Sequence, residues 1–189
     1  MKTWILVVAA VFLFACSDDS PTEPEEKIPE SDSSFFFPIQ TGNVWYYYEP
    51  GRSDATQSIR VWKSYTENDS LYFLYGNKEG TADTLHQDQW GRVYKRFGGK
   101  NLLWLDFSVE EGGTYEYTLS EKLNYTVTVT RNQTIEYDDK TFTGCIRFDF
   151  DIPELNTDEL TYILAPDIGI VQQASAWNMK YLKRWELNE

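Results

Sequence analysis

From Ile146 to Ile152 apolar and polar residues alternate without a break, with Ile146, Phe148, Phe150 and Ile152 on one parity and Arg147, Asp149 and Asp151 on the other. A strand with one buried face requires this period of two, because successive side chains leave a pleated backbone on opposite sides. The pattern recurs at Tyr125, Val127 and Val129 against Thr126, Thr128 and Thr130, and at Tyr115, Tyr117 and Leu119 against Glu116 and Thr118. Turn-forming pairs interrupt such runs at short intervals, among them Pro50-Gly51, Gly76-Asn77, Gly98-Gly99, Gly112-Gly113 and Pro166-Asp167. No amphipathic helical pattern stands out beyond the N-terminal apolar run. The sequence therefore predicts an all-β fold, a large antiparallel meander of about 12 strands.

A longer regularity lies over the short one. Phe37, Ile39, Gly42, Trp45 and Tyr47 recur seventy residues later as Phe107, Val109, Gly112, Tyr115 and Tyr117. Five further strands follow each copy, near 57–66, 70–76, 82–88, 91–97 and 101–107 in the first half and near 124–134, 141–152, 159–165, 168–176 and 180–187 in the second. Gly91 and Gly169 open the fifth strand of each six-stranded half, the copied segment counted as the first. An internal duplication predicts two six-stranded halves fused into one curved sheet or barrel.

The chain begins with Met1-Lys2-Thr3 and an uncharged apolar run from Trp4 to Ala15. Crossing a bilayer takes about 20 apolar residues, so this run is an export signal and not a permanent span. Leu13-Phe14-Ala15-Cys16 resembles the lipobox of bacterial lipoproteins, with Phe14 where a smaller residue is usual. The resemblance implies that residues 1–15 are a cleaved signal peptide and that Cys16 becomes the acylated N-terminus. Ser17, where an aspartate would hold the protein at the inner membrane, resembles the sorting signal for the outer membrane. Asp18-Asp19 is similar to the acidic tract some lineages use for surface export, which leaves both the periplasmic face and the cell surface open. Residues 16–34 pair the lipidated cysteine with an acidic, proline-rich segment containing one large aliphatic residue, Ile28; such a segment cannot bury enough surface to order itself and reads as a disordered tether. Residues 35–189 suffice for a single domain.

Lysine and arginine number 17 against 30 aspartate and glutamate, a net charge of −13. Such a surface repels phosphate backbones and anionic headgroups, which argues against nucleic-acid partners and against membrane contact other than the N-terminal lipid.

Residues 36–48, Phe-Phe-Pro-Ile-Gln-Thr-Gly-Asn-Val-Trp-Tyr-Tyr-Tyr, and residues 164–171, Leu-Ala-Pro-Asp-Ile-Gly-Ile-Val, carry a second likeness. They resemble the FPxxxGNxWxY opening and the APGIGLV closing of a family of uncharacterised bacterial outer-membrane lipoproteins, with Asp167 in place of a glycine. The resemblance implies an exported, β-rich, lipid-anchored protein and supplies no catalytic residues.

Chemistry is sparse. Cys145 lacks an intrachain partner beyond the lipobox cysteine and reads as a small buried hydrophobe. His86, the single histidine, reads as an exposed strand residue with no metal-binding company. No nucleophile elbow, P-loop or zinc-protease motif occurs, and neither a cofactor nor a metal is implied. Asp106, Glu110, Asp149 and Asp151 are the carboxylates that paired glycoside chemistry would draw on. The strongest compositional signal is aromatic: 7 Trp, 13 Tyr and 11 Phe. Trp45, Trp62, Trp90, Trp104 and Trp177 are candidate ligand-contacting rings, since parity prevents both Trp45 and Val44, or both Trp104 and Leu105, from facing one core. The reading that follows is a non-enzymatic envelope lipoprotein, a binding or structural module. Its alternatives are a carrier or sensor of an apolar ligand, a glycan-binding surface protein, and a glycan-active enzyme with paired carboxylates. An envelope protein is a further potential partner.

Overall fold

The computed structural model describes residues 36–188, apart from Ser53, Ala55, Glu121, Lys122, Glu154 and residues 156–158. The expected signal peptide 1–15, lipidation site Cys16 and tether 17–34 lie outside the described residues. The strands are β1 (Val44–Tyr48), β2 (Gln57–Glu67), β3 (Ser70–Gly76), β4 (Asp83–Gln87), β5 (Val93–Phe97) and β6 (Lys100–Leu105), then β7 (Thr114–Ser120), β8 (Leu123–Tyr137), β9 (Lys140–Asp151), β10 (Leu160–Ala165), β11 (Gly169–Ser175) and β12 (Met179–Glu186). One 3-10 turn, Glu79–Thr81, joins β3 to β4, and no α-helix occurs among the described residues.

All twelve strands form one antiparallel sheet in the order β6-β5-β4-β3-β2-β1-β12-β11-β10-β9-β8-β7. Because β1 pairs with β2 on one side and β12 on the other, the meander closes on itself through its first and last strands. The one junction without a ladder is between β6 and β7, where the Tyr115 hydroxyl reaches the Trp104 carbonyl at 2.6 Å. The result is a nearly closed barrel.

The two halves repeat one plan down to the hydrogen bond. Gly42 N–H donates to the Val61 carbonyl at 2.8 Å and Val61 N–H to Asn43 at 3.0 Å; Gly112 N–H donates to Val129 at 2.8 Å and Val129 N–H to Gly113 at 3.0 Å. Gly42 and Gly112 hold φ of 96° and 72°, values open to glycine without a Cβ penalty. The equivalent hairpins differ in length. The long β8–β9 hairpin bulges between Thr130 and Ile135 and brings Tyr137 against Tyr181 and Phe142 against Trp185 on β12, while Asp138 at its turn accepts from the Tyr48 hydroxyl on β1.

An eight-stranded barrel is about the size that ordinary side chains fill, so a larger one needs larger contents. Aromatic rings supply them here. Trp104 meets Tyr162 edge-on at 5.3 Å, Phe107 meets Phe148 at 5.4 Å, and Phe37, fully buried, packs on Trp45, Tyr75 and Trp104. Much of the aromatic excess in the sequence is core.

The two sequence segments that carry the family likeness pack on one another. The Trp45 indole N–H donates to the Ile168 carbonyl and the Tyr47 hydroxyl to Ile170 at 2.8 Å. A Cβ on Gly169 would stand 3.2 Å from Trp45 Nε1 and 3.4 Å from Phe37 Cδ2. The buried Asn43 amide donates to the Pro38 carbonyl and accepts from Asn188 N–H, both at 2.8 Å, tying the start of the domain to its end. These bonds have a common cause. β11 and β12 pair only over Gln172–Ala174 and Met179–Tyr181, and the carbonyls left beyond that stretch need donors. Trp45 and Tyr47 serve two of them, and the Tyr137 hydroxyl lies 3.1 Å from both Val171 and Leu182 carbonyls.

Candidate functional site

Consecutive strands are antiparallel, so their connections alternate between the two ends of the barrel. One end is closed by the Phe36–Asn43 segment, where Phe36 stacks on Phe107 at 5.7 Å. The other end opens into a cavity of about 210 Å³ lined by Gln57, Ile59, Tyr75, Gly76, Asn77, Thr81, Asp83, Lys95, Trp104, Tyr162, Ile170 and Gln173. A second recess of about 150 Å³ shares Tyr162 and Gln173 with it and continues to Ser175, Asn178 and Lys180.

The mouth takes its groups from strands far apart in sequence, and its polar chemistry is partly self-contained. Lys95 Nζ lies 3.1 Å from Asp83 and 4.0 Å from the centre of the Trp104 ring, a cation over an aromatic face. Lys180 donates to the Gln57 amide oxygen at 2.5 Å. The Tyr75 hydroxyl is buried and has no hydrogen-bond partner among the described residues. The neighbouring Tyr47 hydroxyl gives its proton to Ile170 instead. Burial holds both phenols well above their ordinary ionisation range.

A second feature lies on the outer face of the first half. Tyr65, Tyr72, His86 and Tyr94 stand opposite one another across β2 to β5, with ring centres 5.5, 5.3 and 6.0 Å apart. Arg96 lies over Tyr72 and is held by Glu67; Arg92 lies between Trp90 and Tyr94 and is held by Asp88 at 2.8 Å. Neighbouring rings and guanidinium groups thus cover much of the ring faces. The ladder presents edges and hydroxyls more than flat stacking platforms.

The five candidate tryptophans do not converge. Trp45 is fully buried and its N–H is used internally, so it is on no surface. Trp104 is 2% exposed and forms a wall of the cavity. Trp62 lies at the β2 bulge, donates to the Gly76 carbonyl at 3.0 Å and carries Arg60 over its ring. Trp90 ends the outer ladder, and Trp177, 85% exposed, projects from the β11–β12 turn.

The carboxylates are dispersed as well. Asp106 is 8% exposed and accepts from Ser108 N–H and Oγ at 2.9 and 2.6 Å, a turn-stabilising role. Asp149 binds Arg147 at 2.7 Å and Thr161 at 2.7 Å on the outer face of β9, while Glu110 and Asp151 are exposed. Among the described residues no three His, Cys, Asp or Glu side chains gather as a metal site would require. Cys145 is buried, and burial pushes its thiol up to about 11. His86 differs from its expected exposure: half-buried between Tyr72 and Tyr94, it contacts the Leu71 carbonyl through Nδ1 at 3.0 Å.

The fold defines an all-β, nearly closed meander barrel with a polar-lined mouth. No family profile matches this sequence, and no curated protein does. Among solved structures, a Bacteroides fragilis protein described as exported and as having a YmcC-like fold is 16% identical, with 81% of this chain and 99% of that one covered and a TM-score of 0.41.

Proposed function

We propose that this protein is a lipid-anchored lipoprotein of the outer membrane that binds a small ligand at the open end of its barrel and does not transform it. One observation carries the reading: the cavity lies at the end opposite to the one closed by the Phe36–Asn43 segment. A domain held through Cys16 and residues 17–34 then turns its closed end to its anchor and its mouth away from it. The dispersed carboxylates and the protonated, buried Cys145 support binding over catalysis. Side chains ending in amide, hydroxyl or charge make up two thirds of the cavity lining, which favours a small polar ligand over a long apolar one.

The anchoring half of this reading is tested by Cys16→Ala with fatty-acid labelling and membrane fractionation. The wild-type chain takes up label and sediments with the outer membrane, and the alanine variant does neither. Acyl label on the alanine variant would end the lipoprotein reading. The binding half is tested below.

A further inference from the structure

The cavity's chemistry narrows what it holds. Gln57, Asn77 and Gln173 line the main recess, and Asn178 lines its neighbour. A carboxamide offers donors and an acceptor in one plane, a match for adjacent hydroxyl groups that each donate and accept. An apolar occupant would instead displace water from Gln57, Asn77, Gln173, Thr81 and the Tyr75 hydroxyl without replacing its hydrogen bonds, which is the costly arrangement. A small ion is poorly served too. Lys95 is neutralised by Asp83, and Lys180 is turned to the Gln57 oxygen.

We propose that the mouth binds a neutral polyhydroxylated molecule of one or two sugar rings. By the volume one water needs, about 210 Å³ holds on the order of a dozen non-hydrogen atoms, the content of a single pyranose. The recess of about 150 Å³ beyond Tyr162 and Gln173 receives part of a second ring. The ring edges of Trp104 and Tyr162 and the side chains of Ile59 and Ile170 meet the sugar's C–H groups. Flat stacking on Trp104 plays no part, since Lys95 covers that face. This assignment rests on the binding reading above and adds the ligand class to it.

The experiment uses the full lipidated protein in a detergent without a sugar headgroup. Methyl glucoside, N-acetylglucosamine and maltose are titrated calorimetrically, with toluene as an apolar probe of similar size and glutamate as a charged one. At least one sugar gives a saturable signal. Gln173→Leu weakens it about tenfold, the effect of losing roughly one ligand hydrogen bond, and Leu71→Ala, at the closed end, leaves it unchanged. Tyr75→Phe weakens sugar binding while its thermal midpoint equals or exceeds wild type, because the hydroxyl it removes has no partner among the described residues. Saturation by toluene or glutamate in place of every sugar overturns the sugar assignment and leaves the binding reading standing. Silence from every probe overturns both. Sugar binding that Gln173→Leu does not weaken overturns the cavity as its location.

Discussion

Two hairpins occupy the same place in the two halves of this barrel. β2–β3 ends at a tight turn, with Asn68 and Asp69 at positive φ and Leu71 46% exposed beside it. β8–β9 is longer, bends at its bulges, lays Tyr137 and Phe142 against β12 and reaches Tyr48 of β1 through Asp138. Where the hairpin is long, the junction between the halves, β1 with β12, is paired and covered. Where it is short, the corresponding junction, β6 with β7, has no ladder. A repeated plan therefore does not dictate a symmetric molecule. A few extra residues on one hairpin distinguish the sealed seam from the open one, and the cavity mouth is built largely from the half with the short hairpin.

Alkali is the strongest way to break the barrel, and it strikes both halves. Tyr47 and Tyr75 in the first, and Tyr115, Tyr117 and Tyr137 in the second, have phenols raised above 10, chiefly by burial. The stability they confer is fully present below the unfolded-state value near 10 and is lost as pH rises above it, because the unfolded chain then releases protons that the folded one retains. Each phenol withheld from ionisation costs about 1.4 kcal/mol per pH unit above that value, so urea midpoints fall steeply beyond about pH 10. Phenolate absorbance should appear together with unfolding. Full ionisation in a still-folded protein would contradict the burial.

The hairpin comparison is sharpened by Phe142→Ala, expected to cost about 3 kcal/mol because a buried ring is removed from the covered seam. Leu71→Ala, beside the turn of the short hairpin, should stay within about 0.5 kcal/mol. Equal losses in urea denaturation would show that the long hairpin adds no sealing contact. Two glycines give a smaller contrast. Gly169→Ala sets a Cβ against Trp45 and Phe37 at φ 97° and should cost about 2 kcal/mol; Gly112→Ala, at φ 72° with open space around it, should cost about 1 kcal/mol. A reversed order would show that strain, not the packed closed end, governs Gly169.

The alternation at Ile146–Ile152 was legible because a half-buried strand writes its burial into neighbouring residues. The structure buries those four apolar residues, leaves Arg147 and Asp151 exposed and keeps Asp149 only partly covered. Parity failed where the sheet breaks its own rule. Trp104 and Leu105 both point inward because Leu103 and Leu105 stand opposite Tyr94 and Val93, which places Trp104 as an extra residue in a bulge. Val44 and Trp45 are both buried because β1 is covered on each face, and at Tyr48 that cover includes Asp138, ninety residues away in the chain. The cavity left no local trace at all. Its walls come from seven strands, and only closure of the sheet brings them together.

Closure through the two chain ends has a kinetic consequence. Val44 faces Glu186 and Tyr48 faces Tyr181, so the pairing that completes the barrel also spans almost the whole domain. Contacts of such long separation form late, after the local hairpins on either side have already been fixed. A chain that is made from its N-terminus must carry β1, Val-Trp-Tyr-Tyr-Tyr, with one unpaired edge until its last strand arrives. That five-residue edge is where mispairing with another chain would begin, and it is the segment that a holding chaperone would have to cover.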